Sequence, residues 1–132
     1  MTSTTALTTA VQLQHTPARA LAAAQCGAGT VLLTRPRSVA SAVSGQGAQP
    51  AAWLVQLLGA RLLLQGVVLL LRPSRRTALG GAAVDAAHCL SMLAAAEVSR
   101  PHRRAALISA LAAAASALAA VRLPIATSKV NA

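Results

Sequence analysis

The stretch Ala51-Ala-Trp-Leu-Val-Gln-Leu-Leu-Gly-Ala-Arg61-Leu-Leu-Leu-Gln65-Gly-Val-Val-Leu-Leu-Leu71 is an unbroken apolar run of 21 residues, stopped by Arg72-Pro73. After a short basic turn, a second run of the same length, Ala78–Val98, follows and holds the only two acidic residues of the chain, Asp85 and Glu97. A helix rises about 1.5 Å per residue, so each run matches a hydrocarbon layer of roughly 30 Å. Six residues between the runs suffice only for antiparallel neighbours, so the two helices are expected to pack side by side.

Working outward, Ala18–Thr34 is a shorter apolar segment that ends at Arg35-Pro36, and Ala105–Leu123 is an alanine-rich one that ends near Pro124. The spacing therefore predicts helices over about 18–34, 51–71, 78–98 and 105–123, with the first at the short end for a bilayer crossing. Pro17 suits the first turn of its helix, where a missing N–H costs nothing. Residues 1–16, rich in Thr and Gln and without early positive charge, form a flexible, frayed lead-in that could itself be helical, and lack the basic start of a secretory signal. Residues Arg37–Pro50 are a polar connector in which Val39–Val43 could add a turn of helix; 124–132 is a polar tail bearing Lys129. The fold class is all-α: a small integral membrane bundle of four helices in up-down topology, spanning 17–123.

Composition leads to the same class. Hydrophobic types make up 55% of the 132 residues and charged types 11%, against roughly 25% in soluble domains. Trp53 is the one aromatic, and it stands where an interfacial anchor belongs, just after Pro50. Without Phe or Tyr, the apolar content is Ala, Leu and Val, which suits helices packed through small side chains. The formal charge of +10 comes from arginines grouped at the ends of apolar runs. With no aromatic platforms beside them, nucleic acid is not the expected partner. The expected contact is a bilayer with anionic headgroups, met by Arg72, Arg75 and Arg76 at one turn and Arg100, Arg103 and Arg104 at another. Six basic residues on one side against five on the other set no orientation. With an even number of crossings both termini share a side, taken as the cytoplasmic one, and the location is the bacterial cytoplasmic membrane, multi-pass.

A short internal echo marks the helix ends. Gly29-Thr-Val-Leu-Leu-Thr-Arg-Pro36 and Gly66-Val-Val-Leu-Leu-Leu-Arg-Pro73 share a G-x-V-L-L-x-R-P frame 37 residues apart, and Arg100-Pro101 repeats the terminator. An arginine that reaches headgroups, followed by a proline that forbids continuation, ends each span.

Charges inside such runs are rare and mark either function or a structural pairing. Arg61 and Gln65 are one helical turn apart, as are Asp85 and His88, and all four lie about 10–16 Å from the turn that joins their helices. They are expected to meet as an intramembrane polar cluster. An isolated Arg or Asp at that depth costs at least ~2.5–3.5 kcal/mol, so an Arg61–Asp85 pair, with Gln65 and His88 bonding the remaining groups, removes the penalty from both. A register-fixing clamp is preferred over a proton relay because no second acid in the membrane continues the path. Asp85 and His88 are too few for a metal, and Cys89 points about 100° from His88, so no metal site is expected. Cys26 and Cys89 read as small buried hydrophobes. Glu97 is expected to meet an arginine of the 100–104 cluster.

The frame Leu58-Gly-Ala-Arg61-Leu-Leu-Leu-Gln65, followed by Val84-Asp85-Ala-Ala-His88-Cys-Leu-Ser91-Met92, resembles small uncharacterised four-helix membrane proteins of high-GC Gram-positive bacteria, alanine-rich chains with a G-x-R and a D-x-x-H in consecutive helices. The resemblance covers about residues 18–122 and implies no activity. No catalytic pattern, phosphate loop or cofactor motif is present, so the expectation is a non-enzymatic accessory or scaffold component without a cofactor. A second copy of the chain or another membrane protein is the natural protein contact. Two alternatives stand beside it: a proton-coupled or small-solute transporter using Arg61, Asp85 and His88, and a soluble alanine-rich bundle that binds an acidic partner.

Overall fold

A computed structural model describes residues 2–123, with side-chain surroundings given from Pro17 onward. The tail at 124–132, including Lys129, lies outside the described residues. The regular elements among the described residues are all helices: α1 (Thr2–Thr34), α2 (Pro36–Ser44), α3 (Ala52–Leu71), α4 (Arg75–Val98), a 3-10 turn (Arg100–His102) and α5 (Arg103–Val121). Three of these, α3, α4 and the 3-10 turn continued by α5, are long and apolar enough to cross a membrane. The helix 18–34, expected as a fourth and shorter span, is part of α1 and is not among them.

Two boundaries differ from expectation. α1 begins at Thr2 rather than near Pro17, so the lead-in is helical and the proline lies inside the helix. Proline removes one N–H and crowds one carbonyl, which bends a helix without ending it where neighbouring turns hold their own bonds. The connector also carries more structure than a loop. Pro36 takes the first position of α2 and presets its backbone, and the helix closes at Gly45, whose φ of 57° is left-handed. Ser74 caps α4 by accepting a bond from the Thr77 N–H at 3.1 Å.

The long helices run up, down, up and down. Gln56 near the start of α3 bonds the Leu33 carbonyl near the end of α1, and Ala48 N–H donates to the Pro101 carbonyl at 3.0 Å. These contacts gather α2, the start of α3 and the α4–α5 turn at one end. At the other end Ala18, Ala22, Leu69, Ala78 and Leu123 form a small apolar cluster beside the Arg72–Ser74 turn.

The tight pairings are α1 with α3 and α4 with α5. The side-by-side packing expected of α3 and α4 is thereby corrected: they are sequence neighbours, but their backbones approach closely over only a short stretch. The reason is in the side chains at the contacts. Between α1 and α3, a Cβ on Gly29 would stand 2.6 Å from the Leu63 nitrogen and 2.7 Å from the Gly59 carbonyl oxygen. One on Gly66 would stand 2.6 Å from Cys26 Sγ and 2.7 Å from the Ala22 oxygen. Backbone therefore touches backbone, which only glycine permits. Between α3 and α4 the facing residues are Arg61 and Gln65, whose length holds the helices apart.

The internal echo acquires a structural meaning here. Adding 37 to Ala22, Cys26 and Gly29 gives Gly59, Leu63 and Gly66, and Gly29 meets 59 and 63 as Gly66 meets 22 and 26. The repeat thus encodes a crossing with approximate two-fold symmetry that relates the notch at Gly29 on α1 to the notch at Gly66 on α3, with Gly59 packed against Gly29 at the first.

Burial is inverted relative to a soluble bundle. The buried apolar positions are mostly alanine: Ala78, Ala82 and Ala96 on α4 and Ala106, Ala110, Ala113 and Ala120 on α5. The large side chains are outside, with Leu57, Leu64, Leu90, Leu111 and Leu118 each more than half exposed.

Candidate functional site

Three of the four residues expected to meet between α3 and α4 do so: Arg61, Gln65 and Asp85. Arg61 Nη2 donates to Asp85 Oδ1 in the one salt bridge among the described residues. Asp85 is 1% exposed, while Arg61 retains 22% of its side-chain surface. Gln65 lies one turn further along α3 and uses its amide twice, donating to the Gly81 carbonyl at 3.2 Å and to Asp85 Oδ1 at 3.4 Å. The second bond is long and weak by geometry. Gly81 leaves the space that the amide occupies, since a Cβ there would stand 3.2 Å from Gln65 Nε2.

His88 is placed differently from the expectation that it would complete the Arg61–Asp85 group. Its Nε2 lies 2.9 Å from Ser109 Oγ, so its bond goes across to α5. A residue at i+3 is offset by about 60° around the helix from residue i, enough to turn His88 toward a different neighbour. Gln25 on α1 makes the corresponding bond on the other side, donating to Ser116 Oγ at 3.0 Å. Ser109 and Ser116 are seven residues apart and share one face of α5. Two serines at that interval in an alanine-rich helix are the sequence signal for these partners. Gln25, the lone amide of its apolar segment, gave a weaker one.

The polar interior is thus a set of cross-helix bonds reaching all four long helices. Several groups in it keep unused capacity: Asp85 Oδ2, Gln65 Oε1, Gln25 Oε1 and Arg61 Nε are buried without a partner.

The remaining candidates are dispersed. Arg72, Arg75 and Arg76 are exposed at the α3–α4 end, and Arg100, Arg103 and Arg104 are exposed at the opposite end. Glu97 is exposed and forms no salt bridge with the 100–104 cluster, contrary to expectation. α4 stops at Val98, and the 3-10 turn Arg100–His102 separates it from the helix that carries Arg103 and Arg104. Cys26 and Cys89 are free thiols, and no group of three metal-binding side chains occurs among the described residues. No family model matches the chain, and comparisons with curated proteins and with solved structures find no match either.

Proposed function

We propose that the chain is a small multi-pass membrane protein without enzymatic activity, acting as an accessory or scaffold component whose interior polar bonds fix the register of its helices. The observation that carries this reading is the inverted burial: alanine, Gly59, Gly66 and Asp85 inside, most of the leucine and valine outside. In water each exposed leucine would forgo about 1.5–3 kcal/mol of burial. In lipid it forgoes nothing, and small residues inside let the helices close on one another. The same distribution disfavours the soluble bundle. The Arg61–Asp85 pair fits a clamp because it joins two helices whose backbones approach closely over only a short stretch. The membrane and the likeness to small four-helix proteins of high-GC Gram-positive bacteria belong to this same proposal.

Alkaline carbonate extraction tests it directly. The full chain should stay in the membrane pellet, and release of most of it into the supernatant would exclude integration.

A second reading, proton or small-solute passage, is favoured by one observation: the unpartnered buried atoms of Asp85, Gln65, Gln25 and Arg61 lie on helices that adjoin one another. In proteoliposomes carrying a proton gradient, Asp85→Asn should reduce flux at least about tenfold if a carboxylate carries the proton. Equal leak in variant and wild type removes this reading and leaves the clamp.

A further inference from the structure

We propose that the α2 end of the bundle holds one anionic phospholipid, its phosphate on Arg100, Arg103 and Arg104 and its acyl chain along Leu107 and Leu111 of α5. This rests on the membrane reading above and deepens it from a general affinity for anionic headgroups to a built site at one end.

A groove of about 600 Å3 lies there, between the α2–α3 connector and the start of α5, and those five residues and Ser44 are among its walls. Its accessible wall is mostly apolar, and the charged side chains that contribute to it are all cationic. The three arginines line it, and neither acidic residue of the chain does. Ser44 is 2% exposed, and its hydroxyl has no partner among the described residues. A buried hydroxyl without a partner is costly, and a phosphate oxygen at the groove would accept its proton. The connector is shaped to the arginines. Gly45, in its left-handed turn, lies so close beneath the Arg104 guanidinium that any Cβ would collide with it. Gly47 is pressed against the Pro101 carbonyl, where a Cβ would stand 2.8 Å from the oxygen.

The apolar wall includes Leu107 and Leu111 of α5. Leu111 is 71% exposed and stands seven residues past Arg104, about 10 Å further along the helix axis. Headgroup charge and hydrocarbon are separated by a similar depth in a bilayer leaflet. Trp53, 63% exposed at the same end, marks the level of the interface. Free phosphate would satisfy the arginines and Ser44 but would leave the leucine floor without a role. A diacyl lipid uses both.

The test uses the full chain in detergent, titrated with dioleoyl-phosphatidylglycerol, with dioleoyl-phosphatidylcholine and with glycerol phosphate. Wild type should bind the anionic lipid most tightly. Replacing Arg100, Arg103 and Arg104 together by glutamine should weaken that binding by about a hundredfold, since each arginine close to an anionic surface contributes about fivefold. The same change at Arg72, Arg75 and Arg76 removes equal charge and should weaken it by less than about threefold. Leu111→Ser, at an exposed position that does not threaten folding, should weaken the diacyl lipid while leaving glycerol phosphate unaffected. Equal losses in the two triple variants, or competition by glycerol phosphate at the concentration of the lipid, overturns the site. Release of wild type by carbonate would instead overturn the membrane reading, so the two failures are separable.

Discussion

Gly29→Ala should lower the unfolding midpoint of the protein in detergent far more than Gly27→Ala, two residues away on the same helix. A methyl group on Gly29 would stand 2.6 Å from the Leu63 nitrogen, 2.7 Å from the Gly59 oxygen and 3.0 Å from Leu63 Cα, all backbone atoms that no rotamer change can move. The helices must separate instead. That forfeits the contact of Gly66 with Ala22 and Cys26 as well, since both notches belong to one crossing. Overpacking of this kind costs about 1–3 kcal/mol, and the loss of the second notch places Gly29→Ala at the upper end. Gly27 has nothing within 4 Å of its Cβ position, so alanine there should gain up to about 1 kcal/mol of helix propensity. Circular dichroism during thermal or SDS titration reads both. Equal midpoints for the two variants would mean that α1 and α3 do not cross at the glycines.

The glycine crossing also shows where the sequence was legible. The four long helices, the turns at Arg72-Pro73 and Ser99–His102, and the up-down order follow from apolar run length and from proline, because those terms are local; α2, nine residues in a polar connector, has no such run. The echo between Gly29–Pro36 and Gly66–Pro73 was visible as a pattern of boundaries, but its packing role was not. Which face a glycine presents depends on the partner helix, and the expectation paired α3 with α4 because they are joined by a short turn. Short turns bring helices near one another; small side chains decide which of them touch. α1 carries Gly29 and Cys26 at the heights of Gly59 and Gly66, whereas α4 meets α3 at Arg61 and Gln65.

Within the polar cluster the same division holds. Arg61, Gln65 and Asp85 were readable because charge inside an apolar run must find a partner, and two residues a turn apart share a face. The bonds from His88 to Ser109 and from Gln25 to Ser116 were not, because serine and glutamine are tolerated in such helices singly and make no demand that sequence spacing alone can route. The direction of His88 was set by α5, whose alanine face brings Ser109 within reach.

The larger test of that cluster is a double-mutant cycle. Arg61→Leu leaves Asp85, 1% exposed, without its cation and with only the long bond from Gln65. Breaking a buried pair by removing one partner costs about 3–5 kcal/mol, and the 22% exposure of Arg61 places the loss at the lower end of that range. A marginally stable bundle has roughly 5–15 kcal/mol in hand, so the single variant should show a several-fold drop in folded yield and a clear fall in unfolding midpoint. Asp85→Leu alone leaves the arginine unpaired, but its partial exposure and long stem let it reach toward more polar surroundings, so the loss should be smaller. With both replaced by leucine, neither charge remains to be desolvated, and apolar replacements of buried ion pairs are often neutral or stabilising. The double variant should therefore recover at least half of the stability that Arg61→Leu loses. Recovery has a structural reading as well: leucines at 61 and 85 cannot reproduce the directional bond across the wide α3–α4 gap, so the recovered bundle should lose register, seen as broadened amide resonances around Gln65 and Gly81. Additive losses in the double variant would show that the two side chains contribute separately and that the pair does not clamp the helices; recovery without broadening would show that alanine packing between α4 and α5 holds the register on its own.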